Sequence, residues 1–215
     1  MVSHKFKCIF IHIPKTAGTS IESLLKDNSF LGTSHESLNF HSKFNYFNDY
    51  YKFTFVRNTY ERVYSVYSYY YSGGNKQHPK TIIQWIKHIY KKLTIKDYYT
   101  DIEVSKMMPN NFKEFCIKYL KEKKPFYRKN ALISQYKYIL HNNKIGVDFI
   151  GFFDNLENDF NKVKCHLNIS KKLPHLRASK VKKHFSSYYD PISIKIVSDY
   201  YYDEIKYFNF SFNNQ

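Results

Sequence analysis

Residues 9–25 read IFIHIPKTAGTSIESLL: an apolar run that stops at Pro14, a short polar loop, and the opening of a helix. The stretch 7–13 is almost continuously apolar, the pattern of a strand buried on both faces. Over 17–26 the spacing becomes helical, with Ile21, Leu24 and Leu25 on one side. Glu22 lies near the first turn, where a carboxylate suits the helix dipole. A doubly buried strand that feeds straight into a helix is the start of a βαβ unit and requires a parallel neighbour. Residues 51–56 (YKFTFV) supply it, followed by a helix over 59–71 that Asn58 or Thr59 caps and Gly73-Gly74 stops. Residues 149–153 (FIGFF) repeat the pattern ahead of a helix over 156–167. The expected fold is α/β, a mostly parallel central sheet with helices on both faces. No repeat and no Pro-rich or Gly/Ser-rich linker divides the 215 residues, so a single domain over 1–215 is expected.

Amphipathic spacing predicts further helices over 81–93, 111–121 and 131–140, a long terminal helix over 192–208, and a short one around 37–44. Residues 94–110 are polar without a clear period. Cys8, Cys116 and Cys165 are odd in number and widely spaced, which argues against a zinc site or a disulfide framework. All three sit in apolar patterns and read as buried thiols. The apolar run 8–13 is too short to span a membrane, and no hydrophobic leader with a cleavage site precedes it. A soluble, cytoplasmic protein is expected.

The loop 12–20 is suited to an anion. Ligands of parallel α/β sheets bind at the carboxyl ends of strands. The first N–H groups of the following helix lack intrahelical partners, and the dipole adds partial positive charge. Lys15 adds a full charge, Thr16, Thr19 and Ser20 offer hydroxyls, and Gly18 permits close approach. The loop is not a Walker A sequence, because Lys15 precedes its only glycine. A helix cap with no ligand is the bland alternative. The second strand repeats the arrangement. Arg57 ends it, and Ser65 lies about two turns into the next helix. A forked guanidinium with a hydroxyl can grip a second anionic group. The alternative there is an ion pair of Arg57 or Arg62 with Glu61 or Asp49.

FIHIPKTAGTS and FTFVRNTYERVYSVY together resemble the paired signatures of sulfotransferases that use 3′-phosphoadenosine 5′-phosphosulfate (PAPS), most of all their carbohydrate-type branch. The resemblance runs more loosely through 147–167 and 173–208. It implies the P-loop-like sulfotransferase fold, with Lys15, Thr16, Ala17, Gly18, Thr19 and Ser20 at the 5′-phosphosulfate. Arg57 and Ser65 would then hold the 3′-phosphate, with adenosine 3′,5′-bisphosphate (PAP) as product. The loop with Arg177, Ser179 and Lys180 resembles the family's cofactor-closing segment. Two departures stand out. Thr59 replaces the proline that usually follows Arg-Asn, and Gly151 is followed by Phe152 where the family often has an arginine.

Sulfuryl transfer resembles phosphoryl transfer, in which positioning and charge stabilisation dominate. Lys15 would stabilise the leaving oxygen, and no metal is expected. A base must take the acceptor proton. The resemblance points to His35 in His35-Glu36-Ser37-Leu38, with Glu36 and His41 as the other candidates, and His12 reading as a packed histidine. The net charge of +16 draws polyanions. A hydroxyl acceptor is implied, and a glycan is expected. Nucleic acid is not expected, and no membrane span is expected. Sulfation of protein tyrosine or of a small-molecule hydroxyl, and a non-catalytic polyanion-binding protein, are the alternatives.

Overall fold

The computed structural model describes residues 1–26, 35–74, 82–94, 99–174 and 183–213. Its centre is a four-stranded sheet of order β1-β2-β3-β6. These strands are β1 (Val2–Ser3), β2 (Cys8–Ile11), β3 (Tyr51–Val56) and β6 (Phe149–Phe152); β4 (Leu140–His141) and β5 (Lys144–Ile145) form a separate hairpin. β2, β3 and β6 run parallel, with Ile11 opposite Thr54 and Val56 opposite Phe152, so their carboxyl ends lie side by side. β1 is antiparallel to β2 and was not legible in the pattern, being two residues long.

Alternate side chains of the strands go to opposite faces. Cys8, Phe10, Phe53 and Phe55 pack with Ile21 and Leu25 of α1 (Gly18–Leu25) and with Phe160, Val163 and Leu167 of α8 (Leu156–Leu167). Ile9, Ile11 and Val56 pack on the other face. They meet Leu38 of α2 (Leu38–His41), Tyr138 of α7 (Gln135–Tyr138) and Phe208 of α10 (Tyr202–Phe208). A third apolar cluster joins α3 (Thr59–Tyr71), α5 (Asp101–Lys106), α6 (Phe112–Phe115) and α9 (Pro191–Tyr200). The doubly covered, mostly parallel sheet is the fold expected from the sequence.

Three of the expected helices are close to their reading. α3 and α8 have the expected bounds, and α4 (Ile82–Thr94) is displaced by one residue. Gly73 and Gly74 end α3 at φ 97° and 59°, the left-handed backbone that glycine adopts at no steric cost. Four readings need correction. Residues 131–140 are not one helix. The carbonyls of Ala131 and Ile133 accept from Arg62 Nη1 and Nη2 at 3.0 Å each, and that of Leu132 accepts from the Tyr201 hydroxyl at 2.8 Å. These side chains take carbonyls a helix needs, leaving a short 3₁₀ turn, the four-residue α7 and the start of β4. The terminal helix is two, broken at Tyr201 (φ −110°, ψ 26°). The helix expected over 111–121 begins as α6 and widens to π-helical turns over Cys116–Lys121. Cys165 is exposed rather than buried, because α8 turns Phe160, Val163 and Leu167 inward and Cys165 falls off that stripe.

Candidate active site

The loop after β2 is bent by two residues in left-handed backbone, Lys15 (φ 72°) and Ala17 (φ 64°). Neither is glycine, so each conformation costs on the order of 1–3 kcal/mol, and such strain gathers at ligand clamps. Alternation of this kind also turns successive N–H groups toward one concavity. Ala17 is the N-cap of α1 and has no side chain able to cap it. The sequence is rich in Ser and Thr here, yet the N-cap position falls on Ala17. Thr16 is fully buried, and its hydroxyl donates inward to the Ile13 carbonyl at 2.9 Å. The first turn of α1 thus carries the partial positive charge of a helix start with no side-chain cap from its N-cap residue.

Gly18 also meets a packing need that the sequence did not signal. Its φ is ordinary, and the space a Cβ would occupy lies 1.9 Å from His12 Cδ2 and 2.1 Å from His12 Nε2. The glycine lets the His12 ring slide beneath the first turn of α1. His12 is held there from several sides. It stacks on Phe10 at 5.7 Å between centroids, and its Nδ1 pairs with Glu22 Oε1 at 2.8 Å. The Glu22 carboxyl is held below its ordinary value by that partner, against the opposing effect of burial.

His35 closes the floor of the loop. Its ring lies 4.2 Å from that of His12, and its Nδ1 donates to the His12 carbonyl at 2.9 Å. A carbonyl can only accept, so Nδ1 carries the proton and the neutral ring keeps its lone pair on Nε2. Burial, with His12 adding to it, lowers the His35 pKa to about 4. His41, at the end of α2, is buried, and burial lowers its pKa to about 3. Glu36 is half-buried between them in sequence.

Arg57 links the carboxyl ends of all three parallel strands. Its Nη1 donates to the Lys15 carbonyl at 3.2 Å and lies 3.4 Å from Ser65 Oγ. Its guanidinium stacks on Phe153, the residue after β6, at 4.1 Å. Phe153 thus supports the Arg57 guanidinium just past the end of β6. Nη2 pairs with Glu61, so the ion pair weighed from the sequence is present in addition to the Ser65 contact. Lys15 Nζ lies 4.2 Å from the Tyr69 ring centroid. Glu61, Ser65 and Tyr69 are four residues apart and share one face of α3. Sequence reasoning singled out Ser65 on that face and missed Tyr69, although the spacing was visible. Asn58 caps α3 by accepting from Tyr60 N at 3.0 Å, and Thr59 donates to the buried Glu204 at 2.6 Å.

Lys15, Thr16, Ala17, Gly18, Thr19, Ser20, Arg57 and Ser65 are therefore gathered at adjoining strand ends, with His35 beneath. Arg177, Ser179 and Lys180 lie outside the described residues. Among the described residues no cluster of three His, Cys, Asp or Glu side chains could hold a metal, and no helix is long and apolar enough to cross a membrane.

Comparison with known proteins gives one finding. A family model described as "Sulfotransferase family" matches residues 1–211. No curated protein and no solved structure matches.

Proposed function

This chain belongs to the sulfotransferase family, and we propose that it moves a sulfuryl group from PAPS to a hydroxyl of a carbohydrate. One observation carries the reading. The α1 N-terminus, uncapped at Ala17 on a doubly left-handed loop, opens beside the Arg57 guanidinium, which reaches the carbonyl of Lys15. Two positive sites this close suit one ligand that is anionic at both ends.

In this reading the backbone of Lys15–Ser20 and the Lys15 ammonium hold the 5′-phosphosulfate. Arg57 and Ser65 hold the 3′-phosphate, and Arg177, Ser179 and Lys180 add contacts from the late loop. His35 Nε2 accepts the proton of the attacking hydroxyl. The new S–O bond forms in line as the bond from sulfur to the bridging phosphate oxygen breaks, and Lys15 with the α1 dipole steadies the charge left on PAP. A histidine with so low a pKa is a modest base, but it is neutral and ready across the whole physiological range. Glu36 and His41 are the other residues near enough in sequence to be tried as the base. The net charge of +16 favours an anionic glycan over a neutral one.

The test is incubation with PAPS and a panel of glycans, tyrosine peptides and small phenols, reading PAP release and the mass of the product. Sulfated glycan is the expected result. Sulfated peptide or phenol alone would replace the acceptor class, and no PAP release with any acceptor would overturn the reading.

A further inference from the structure

Glu204 of α10 has no exposed surface, and neither have Gln135, Thr59 and Arg62 around it. A carboxylate at such a place is costly unless every oxygen is engaged. Here both are. Oε1 accepts from the Thr59 hydroxyl and from Gln135 Nε2, each at 2.6 Å, and Oε2 accepts from the Gln135 backbone N–H, with Arg62 Nη2 at 4.0 Å. Gln135 in turn spans one residue of the site. Its Oε1 accepts from the Arg57 N–H at 2.9 Å, and its Nε2 donates to the Arg57 carbonyl at 2.8 Å. Arg57 has just left β3 at its carboxyl end and has no strand partner of its own there. The Gln135 amide stands in for the missing strand, and Glu204 fixes the amide.

We propose that Gln135 and Glu204 are positioning residues for the anion grip of Arg57. The inference rests on the reading of Arg57 as the 3′-phosphate ligand and adds what aims it. The far end of the guanidinium is held by Glu61, the Lys15 carbonyl and the Phe153 ring, with the Ser65 contact the longest at 3.4 Å. The near end is set by the backbone from which the side chain springs. The Gln135 clamp fixes that backbone at both N–H and carbonyl, and the buried Glu204 carboxyl, accepting from Gln135 Nε2 and N–H, keeps the amide from rotating. The Thr59 hydroxyl completes the arrangement at the position where proline is usual in the family; proline could not donate to Glu204.

The experiment is calorimetric titration of PAP and of 5′-AMP, which lacks the 3′-phosphate, into the wild-type chain, Gln135→Met and Thr59→Val. The readout is the ratio of the two dissociation constants. Gln135→Met keeps length and loses the amide; it is expected to cut the preference for PAP by on the order of tenfold while leaving 5′-AMP affinity unchanged. Thr59→Val keeps volume and is expected to cut the preference less. It carries the test alone if the Gln135 variant fails to fold. A purely structural role would weaken both nucleotides alike or lower only the melting temperature, and an unchanged ratio in a folded variant would overturn the proposal. A wild-type chain with no preference for PAP would instead overturn the nucleotide reading, and the positioning role with it.

Discussion

Gly18→Ala places a methyl group where the His12 ring already is. The distances are 1.9 Å to Cδ2, 2.1 Å to Nε2 and 2.6 Å to Cγ, far inside the 3.4 Å at which ordinary contact begins. The ring cannot move aside cheaply, because Phe10, Glu22 and His35 hold it from three directions. Overpacking of a filled site costs about 1–3 kcal/mol. Alanine gains about 1 kcal/mol over glycine within a helix, which acts in the opposite sense. With the clash dominant, the net loss reaches up to about 2 kcal/mol, a fall in melting temperature of up to about 8 °C for a chain of this length. The displaced first turn of α1 should also weaken PAP by about tenfold or more. Thermal unfolding followed by circular dichroism, with calorimetric titration of PAP, reads both. The double variant Gly18→Ala/His12→Ala supplies the control. If the clash is the cause, the second change should recover at least about 1 kcal/mol relative to the sum of the single effects. A Gly18→Ala protein as stable as the parent would refute the steric argument.

Other outcomes follow from the same geometry. Glu61→Gln releases Arg57 from its ion pair, and PAP affinity should rise by up to about fivefold with 5′-AMP unchanged; a fall would mean that Glu61 aims the guanidinium rather than competing for it. Lys15→Ala should lower the rate of sulfuryl transfer by about 10²–10³-fold, measured as PAP release at saturating PAPS; a change confined to KM would assign Lys15 to binding alone. The acid limb of kcat/KM should fall near pH 4, where His35 takes a proton, rather than near its ordinary 6.5; a midpoint at the ordinary value would remove His35 as the base. His35 and His41 also couple stability to pH. Their folded pKa values, about 4 and about 3, lie below the ordinary value, so the unfolded chain binds protons first as pH falls. Each should cost up to about 1.4 kcal/mol per pH unit as pH drops from about 6.5 towards those values, and nothing above that range. Urea unfolding at pH 7 and pH 5 checks the sign, which an equal or greater stability at pH 5 would contradict.

Much of the sheet was legible because its strands are rich in apolar residues, with β2 buried throughout and β3 buried over its last four residues. β3 matches its reading residue for residue, and β2 (expected over 7–13) is trimmed to the part that pairs with β3. The anion loop was legible as a spacing of residue types, but its backbone was not. Nothing in the letters Lys15 and Ala17 signals left-handed φ, and nothing local shows that Gly18 also makes room for the His12 ring. Residues 131–140 failed because Arg62 and Tyr201, distant in sequence, take the carbonyls that a local pattern assigns to a helix. The same distance hid the Gln135–Glu204 pair, since a lone Gln and a lone Glu in polar surroundings read as surface. One missed signal was local. Thr100 and Glu103 form a capping box that opens α5, and the T-x-x-E spacing stands in the sequence.

The central claim is that Arg57 and the α1 loop grip the two ends of one adenosine 3′-phosphate nucleotide. Calorimetric titration of PAP beside 5′-AMP, on the wild-type chain and on Arg57→Ala, tests it most directly. The account predicts that wild type binds PAP far more tightly than 5′-AMP, and that Arg57→Ala removes the difference while 5′-AMP binding persists. Equal affinity for the two nucleotides in the wild-type chain would contradict it.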